Sequence, residues 1–195
     1  KTIYQVLING LPVAEAVQKT AYGPDILPAK IELAGAEVEL VGAIARETRL
    51  KKALAAVTER YDYILIDCPP SLGLLTLNSL TAAHSVLMPL QCEFYALEGL
   101  SQLMQTVELV QNNLNPELDI EGVVLTMFDS RTKLSEQVVQ EVREHFGDLV
   151  YQTMIPRTVR LSEAPSYGQP IFAYDPRSKG ATAYMELARE VIAHE

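Results

Sequence analysis

Asp67 stands at the end of a continuous apolar run, Tyr63-Ile64-Leu65-Ile66, and is followed by Cys68-Pro69-Pro70-Ser71-Leu72-Gly73. A buried strand that delivers one carboxylate at its tip can orient a magnesium ion, or the ion's water shell, beside a nucleotide phosphate. This is the form of a Walker B element. Many buried strands end in Asp, so the run by itself is a weak signal, and the next residues strengthen it. Two prolines stiffen the exit from the strand, and Gly73 lets the chain turn close to a ligand. Such a segment suits a switch that senses a γ-phosphate. The cradle that would complete the site does not occur here. A phosphate loop G-x-x-x-x-G-K-[ST] needs Gly followed by Lys, and none of the ten glycines is followed by Lys. Either the protein is not a nucleotidase, or that part lies upstream of Lys1, which is the expectation carried forward.

The other reactive side chains form no site of their own. His84, His145 and His194 are scattered, no His/Cys spacing matches a zinc site, and no nucleophile stands beside a base. Two cysteines in 195 residues do not make a disulfide scaffold, so a reducing cytoplasm is the expected compartment. The cations are more informative. Residues 1–60 sum to +1, residues 61–130 hold no Lys or Arg and sum to −9, and residues 131–195 sum to −1. The middle third cannot hold phosphate through cationic side chains of its own. Contact with a polyanion would come from a local patch in the flanking thirds. Those two thirds hold all sixteen of the chain's Lys and Arg residues.

Short apolar runs alternate with amphipathic stretches, and this order predicts the elements that position these groups. Residues 63–66, 86–90 and 122–127 are apolar without alternation, as in strands buried on both faces of a parallel sheet. Helical spacing predicts helices around Leu50–Val57, from about 96 to 114, through Val138–Phe146, and through Tyr184–Ile192. Ser135 is the expected N-cap of the third, with Leu134 and Val139 as a hydrophobic staple. The expected architecture is α/β: a doubly wound, mostly parallel sheet with helices on both faces, in a single domain over residues 1–195. Ligands of such sheets sit at the carboxyl ends of the strands. No apolar run approaches the roughly 18 residues a spanning helix needs, so no membrane crossing is expected. The composition, 48% apolar and 21% charged, excludes disorder and a collagen-like fold.

Asp62-Tyr-Ile-Leu-Ile-Asp-Cys-Pro-Pro-Ser-Leu-Gly73 resembles the Walker B and switch II segment of the ParA/Soj chromosome and plasmid partitioning ATPases. So do Glu93-Phe-Tyr-Ala-Leu-Glu-Gly-Leu100, Ile155-Pro-Arg-Thr-Val-Arg-Leu-Ser-Glu-Ala-Pro165 and Tyr174-Asp-Pro-Arg-Ser-Lys-Gly180. The resemblance runs from Ile3 to the last helix. It implies a P-loop NTPase-like fold of the deviant Walker A class, with the first strand and the phosphate loop missing from these residues. A missing middle strand would leave open strand edges and an unfilled core slot, so residues 1–195 are expected neither to fold stably nor to hydrolyse ATP alone.

The resemblance also implies roles for single residues. Asp67 would position magnesium at the β- and γ-phosphates, and Pro69, Pro70 and Gly73 would read the γ-phosphate. Met127, Pro156 and Thr158 would lie around the adenine base. Arg131 and Arg160 would bind double-stranded DNA without reading sequence. ATP and Mg2+ are the implied cofactors. A ParB-type protein and a second copy of the chain are the implied partners, with a cytoplasmic, nucleoid-associated location. Two alternatives stand beside this reading. One is a nucleotide-free adaptor of the same fold, and the other a MinD-like membrane-positioning ATPase. MinD-type proteins end in a basic amphipathic helix, whereas Glu186, Arg189, Glu190 and Glu195 make the last helix here acidic on its polar face. Its apolar stripe is therefore expected to pack on the sheet. Cys68 adjoins Asp67 directly, unlike the cluster cysteines of related iron-sulfur ATPases, and reads as a small spacer.

Overall fold

The computed structural model describes residues 1–69, 71 and 73–194. Its contacts divide the chain into two compact units, Lys1–Ser85 with Gln105–Asp119, and Val86–Met104 with Ile120–Glu195.

The first unit begins with α1 (Ile3–Asn9), entered through Thr2, whose backbone N–H donates to the Gln5 side chain at 2.7 Å. Gly10 ends it in the left-handed region at φ 71°, where only Gly is free of a Cβ penalty. Then follow α2 (Val13–Ala16) and the antiparallel pair β1 (Gln18–Lys19) and β2 (Asp25–Ile26). The helices α3 (Leu33–Val41), α4 (Arg49–Leu54) and α5 (Leu74–Ala82) complete the unit's own elements. Val6, Val13, Ala16 and Val57 bury one core cluster. Asn78 on α5 is fully buried and satisfied: its Oδ1 accepts from the Leu50 N–H at 3.1 Å, and its Nδ2 donates to the carbonyls of Arg46 and Leu74. A buried amide with every partner in place pins α5 to α4.

The second unit is built on β3 (Ser85–Gln91), the first half of the long helix α6 (Ala96–Asn113), whose residues from Gln105 on belong to the first unit, and β4 (Asp119–Thr126). β3 and β4 are neighbours in one sheet. On the other side of β4 the chain from 150 to 156 runs parallel, with bridges Val123–Val150 and Phe128–Pro156. The helices α7 (Lys133–Phe146), α8 (Val159–Glu163), α9 (Ile171–Tyr174) and α10 (Lys179–His194) cover it. Met88, Leu100, Val123, Leu125, Val138, Val142 and Val150 form the core between β3, β4, α6 and α7. Ala183 and Leu187 of α10 pack on Val124, Tyr151 and Ile155. The acidic end helix therefore lies on the sheet, as its charge pattern predicts. The Glu190 carboxylate tightens this contact by accepting the N–H groups of Gln152 (2.6 Å) and Thr153 (2.9 Å).

The strands at 86–90 and 122–127 and all four expected helices are present. Two expectations are corrected. Tyr63-Ile64-Leu65-Ile66 carries no regular secondary structure, and Leu65 is 91% exposed. A strand exists only within a ladder that satisfies its backbone and covers its faces, and among the described residues no strand is assigned beside 63–66. The N-cap of α7 is Thr132, whose hydroxyl accepts from the Ser135 N–H at 3.3 Å. Ser135 lies inside the helix, buried, and its hydroxyl donates to the Cys92 carbonyl at 3.4 Å. Among the described residues no helix is long and apolar enough to cross a membrane.

Candidate functional site

In the first unit, Asp67 and Pro69 are exposed and follow the irregular segment 63–66. Gly73 is the residue before α5, with an extended backbone at φ −101° that any residue could adopt. Its lack of a side chain matters differently, because a Cβ there would run into the Glu37 carboxylate. Glu37 in turn accepts the Leu75 N–H at 3.5 Å, so the end of this segment is held under α3. Pro70 lies outside the described residues. Cys68 is exposed, and its thiol points back to the Ile66 carbonyl at 3.6 Å. Among the described residues no three His, Cys, Asp or Glu side chains converge on a point where a metal could sit. Magnesium does not need such a cage. It keeps several waters and takes one or two carboxylates plus phosphate oxygens, which the single exposed Asp67 fits.

The second unit gathers the other expected residues at the carboxyl end of β4. Met127 directly follows the strand at φ 54°, a left-handed conformation that costs a non-glycine residue roughly 1–2 kcal/mol. Such strain persists where the surroundings fix it, and it concentrates at ligand sites. Met127 lines an open cavity of about 780 Å³ that is also bordered by the Gln91–Tyr95 loop, Asp129, Thr132 and Arg157. That volume is within the range of small-ligand sites. Pro156 is brought next to Phe128 by the parallel bridge, and the Arg157 N–H donates to the Phe128 carbonyl at 2.9 Å. Thr158 starts α8, its hydroxyl accepting the Leu161 N–H at 3.3 Å. The three residues expected around a base thus lie on two adjoining segments. Met127 itself faces the cavity, while the Thr158 hydroxyl serves as a helix cap.

The same two segments carry the expected DNA-binding arginines. Arg131 is largely exposed but not loose. Its Nε donates to Asp129 Oδ1 at 2.9 Å and its Nη2 to Oδ2 at 2.7 Å, and its backbone N–H donates to Oδ1 at 3.0 Å. These hydrogen bonds, with the charge of Arg157 nearby, hold the Asp129 carboxyl far below the ordinary carboxylate range. Arg160 Nη1 donates to Glu163 Oε2 at 3.1 Å, and its Nε lies 3.4 Å from Asp175 Oδ2. Lys133, Arg157, Arg177 and Lys179 are exposed on the same segments, on the turn before α10 or at its first residue. Sequence reasoning found the arginines and missed their carboxylates. The signals were present: a D-x-R spacing of the kind that makes local turns, and an i,i+3 Arg–Glu pair. It also missed Phe94 and Tyr95, an edge-to-face pair at 5.1 Å exposed at the rim of the cavity. Cys92, lining the same cavity, is buried, and burial pushes its thiol up to about 11.

Comparison with known proteins places this arrangement. Residues 1–120 match the AAA domain family. The chain is 60% identical to the sporulation initiation inhibitor protein Soj of Bacillus subtilis, over 98% of its own length and 76% of that protein's. It is 55% identical to the chromosome partitioning protein ParA of Caulobacter vibrioides, across 100% of this chain and 74% of the other. Among solved structures, cobyrinic acid a,c-diamide synthase of Mycobacterium smegmatis with bound ADP and magnesium superposes with a TM-score of 0.84 at 40% identity, covering 100% of this chain and 72% of that one. The Pyrococcus furiosus cell division ATPase MinD shares the fold, with a TM-score of 0.80 at 23% identity over 100% and 76% of the two chains. The parallel packing beside β4, its covering helices and these likenesses make the fold a P-loop ATPase α/β fold. The chain belongs to the ParA/Soj family of chromosome partitioning ATPases.

Proposed function

We propose that this protein is an ATP- and magnesium-dependent partitioning ATPase whose homodimer binds double-stranded DNA without sequence preference and is stimulated by a ParB-type partner. One observation carries the reading: Met127, Arg131, Arg157 and Arg160 all sit on the two adjoining segments that leave the carboxyl ends of β4 and of its parallel neighbour. In open α/β sheets that edge is where ligands bind. On this reading Met127 and Pro156 present apolar faces to the base, with Thr158 beside them. Asp67 orients the metal's water shell, and Pro69, Pro70 and Gly73 respond to the γ-phosphate. Magnesium, when bound, would neutralise charge on the β- and γ-phosphates. Arg131 and Arg160 hold DNA phosphates, which fixes position on the duplex without reading bases. Cycling between nucleotide states yields directed movement of DNA only if affinity for DNA and partner differs between the states. The reading covers residues 1–195 as one ATPase domain, working in the cytoplasm on the nucleoid.

The test is fluorescence anisotropy of a random-sequence duplex against the protein in its natural full length, with ATP and magnesium. Arg131→Ala and Arg160→Ala should each weaken binding at low salt. ATP affinity should stay as it was. Unchanged DNA binding in both variants at low salt would overturn the assignment.

A further inference from the structure

We propose that Asp129, and on the second segment Glu163 with Asp175, are affinity-setting carboxylates of the DNA surface: each holds its arginine in an ion pair that a DNA phosphate must displace. This rests on the assignment of Arg131 and Arg160 to DNA and adds the groups that limit that binding.

The geometry of Arg131 is the main observation. Its Nε and Nη2 donate to the two oxygens of Asp129 at 2.9 and 2.7 Å. This is the fork a guanidinium would otherwise present to a phosphate. The arginine side chain is 85% exposed and the aspartate side chain only 18%. Asp129 also accepts the Arg131 backbone N–H, which keeps its carboxylate beside the guanidinium. Arg160 is held from two sides, by Glu163 and by Asp175, and Glu163 Oε2 also accepts from the Tyr174 hydroxyl at 3.0 Å. Both DNA-facing arginines are therefore already neutralised. Arg131 with Asp129 carries no net charge, and Arg160 with its two carboxylates carries −1.

Non-specific affinity for duplex DNA follows the number of phosphate charges neutralised. An arginine that carries its own carboxylate contributes shape and direction but little net charge. The consequence is weak binding with a shallow salt dependence, which suits a protein that must leave DNA repeatedly. Asn at 129 and Gln at 163 keep an oxygen acceptor and the side-chain shape, so the charge can be removed with the local packing in place.

Asp129→Asn is the decisive variant. Asn keeps the acceptor for the Arg131 N–H and nearly the same volume, and removes the charge. In the protein at its natural full length, with ATP and magnesium, anisotropy with a random-sequence duplex should show about eightfold tighter binding at 0.1 M salt and a slope steeper by about 0.9. Glu163→Gln should act in the same direction, and it carries the test alone if Asp129→Asn does not fold. Asp129→Asn combined with Arg131→Ala should lose the gain, an outcome that a merely structural role for Asp129 would not produce. Unchanged affinity and slope in the folded charge-removal variants, with Arg131→Ala and Arg160→Ala still weakening binding, would overturn this inference and leave the DNA assignment standing. If the arginine variants themselves bind DNA normally, the DNA assignment fails and this inference with it.

Discussion

On the proposed placement of the base, Met127 combines backbone strain with ligand contact, and replacing it separates the two. At φ 54° a methionine costs roughly 1–2 kcal/mol that glycine would not. Glycine in turn loses more chain entropy on folding, about 0.5–1 kcal/mol. With the lost burial of the half-buried side chain counted against it, Met127→Gly should leave stability within about 1.5 kcal/mol of the parent in either direction. Ligand affinity should behave differently. Full burial of a methionine side chain is worth about 1.5–3 kcal/mol. A base covering one face of the half-buried Met127 gains about half the lower figure or a little more, roughly 1 kcal/mol. Loss of that face should weaken Mg-ATP binding about fivefold. Met127→Asn provides the control, because Asn tolerates the left-handed region and has no comparable apolar surface. Calorimetric titration of Mg-ATP into the natural full-length protein, with a thermal melt of each variant, reads both quantities. Affinities within twofold of the parent in both variants, with the fold retained, would refute the placement of the base against Met127.

Two further outcomes follow from local structure. Thr132→Ala removes the N-cap of α7 and should cost about 1 kcal/mol, lowering the melting temperature by a few degrees, while Thr132→Ser should restore it. A Ser-like melt for Thr132→Ala would show that the cap lies elsewhere. Alkylation by iodoacetamide at pH 8, followed by mass spectrometry, should label the exposed Cys68 and spare Cys92 until the protein is unfolded, since burial holds the Cys92 thiol at about 11 and the thiolate is the reactive form. Equal labelling of the two in the native protein would contradict the burial.

Much of this molecule is readable from its residues because local pattern and packing agree. The apolar runs at 86–90 and 122–127 are strands, and the stripe of Leu100, Met104 and Val107 is a helix face. Where they diverge, the competing interaction can be named. Residues 63–66 have every property of a buried strand, yet strand formation is a property of pairs, and no sequence run carries its own partner. Ser135 looks like a cap because it is a small hydroxyl before an apolar run. Thr132 takes the position because the chain is still extended there, with φ −111° and ψ 129°, as an N-cap requires. The left-handed Met127 left no trace, since nothing in its side chain favours that conformation. The arginines were found by type and by resemblance. Whether such a residue is free or paired depends on where the next carboxylate points, and spacing can only suggest that.

On the proposed function, Asp67 faces a magnesium-bound triphosphate. Steady-state ATP turnover of the natural full-length protein, measured across a magnesium titration for the parent and for Asp67→Asn, tests it. The magnesium concentration for half-maximal turnover should rise on the order of 10- to 100-fold in the variant, as when a group orienting a metal's shell is lost. Identical turnover with an identical magnesium requirement in the two proteins would contradict it.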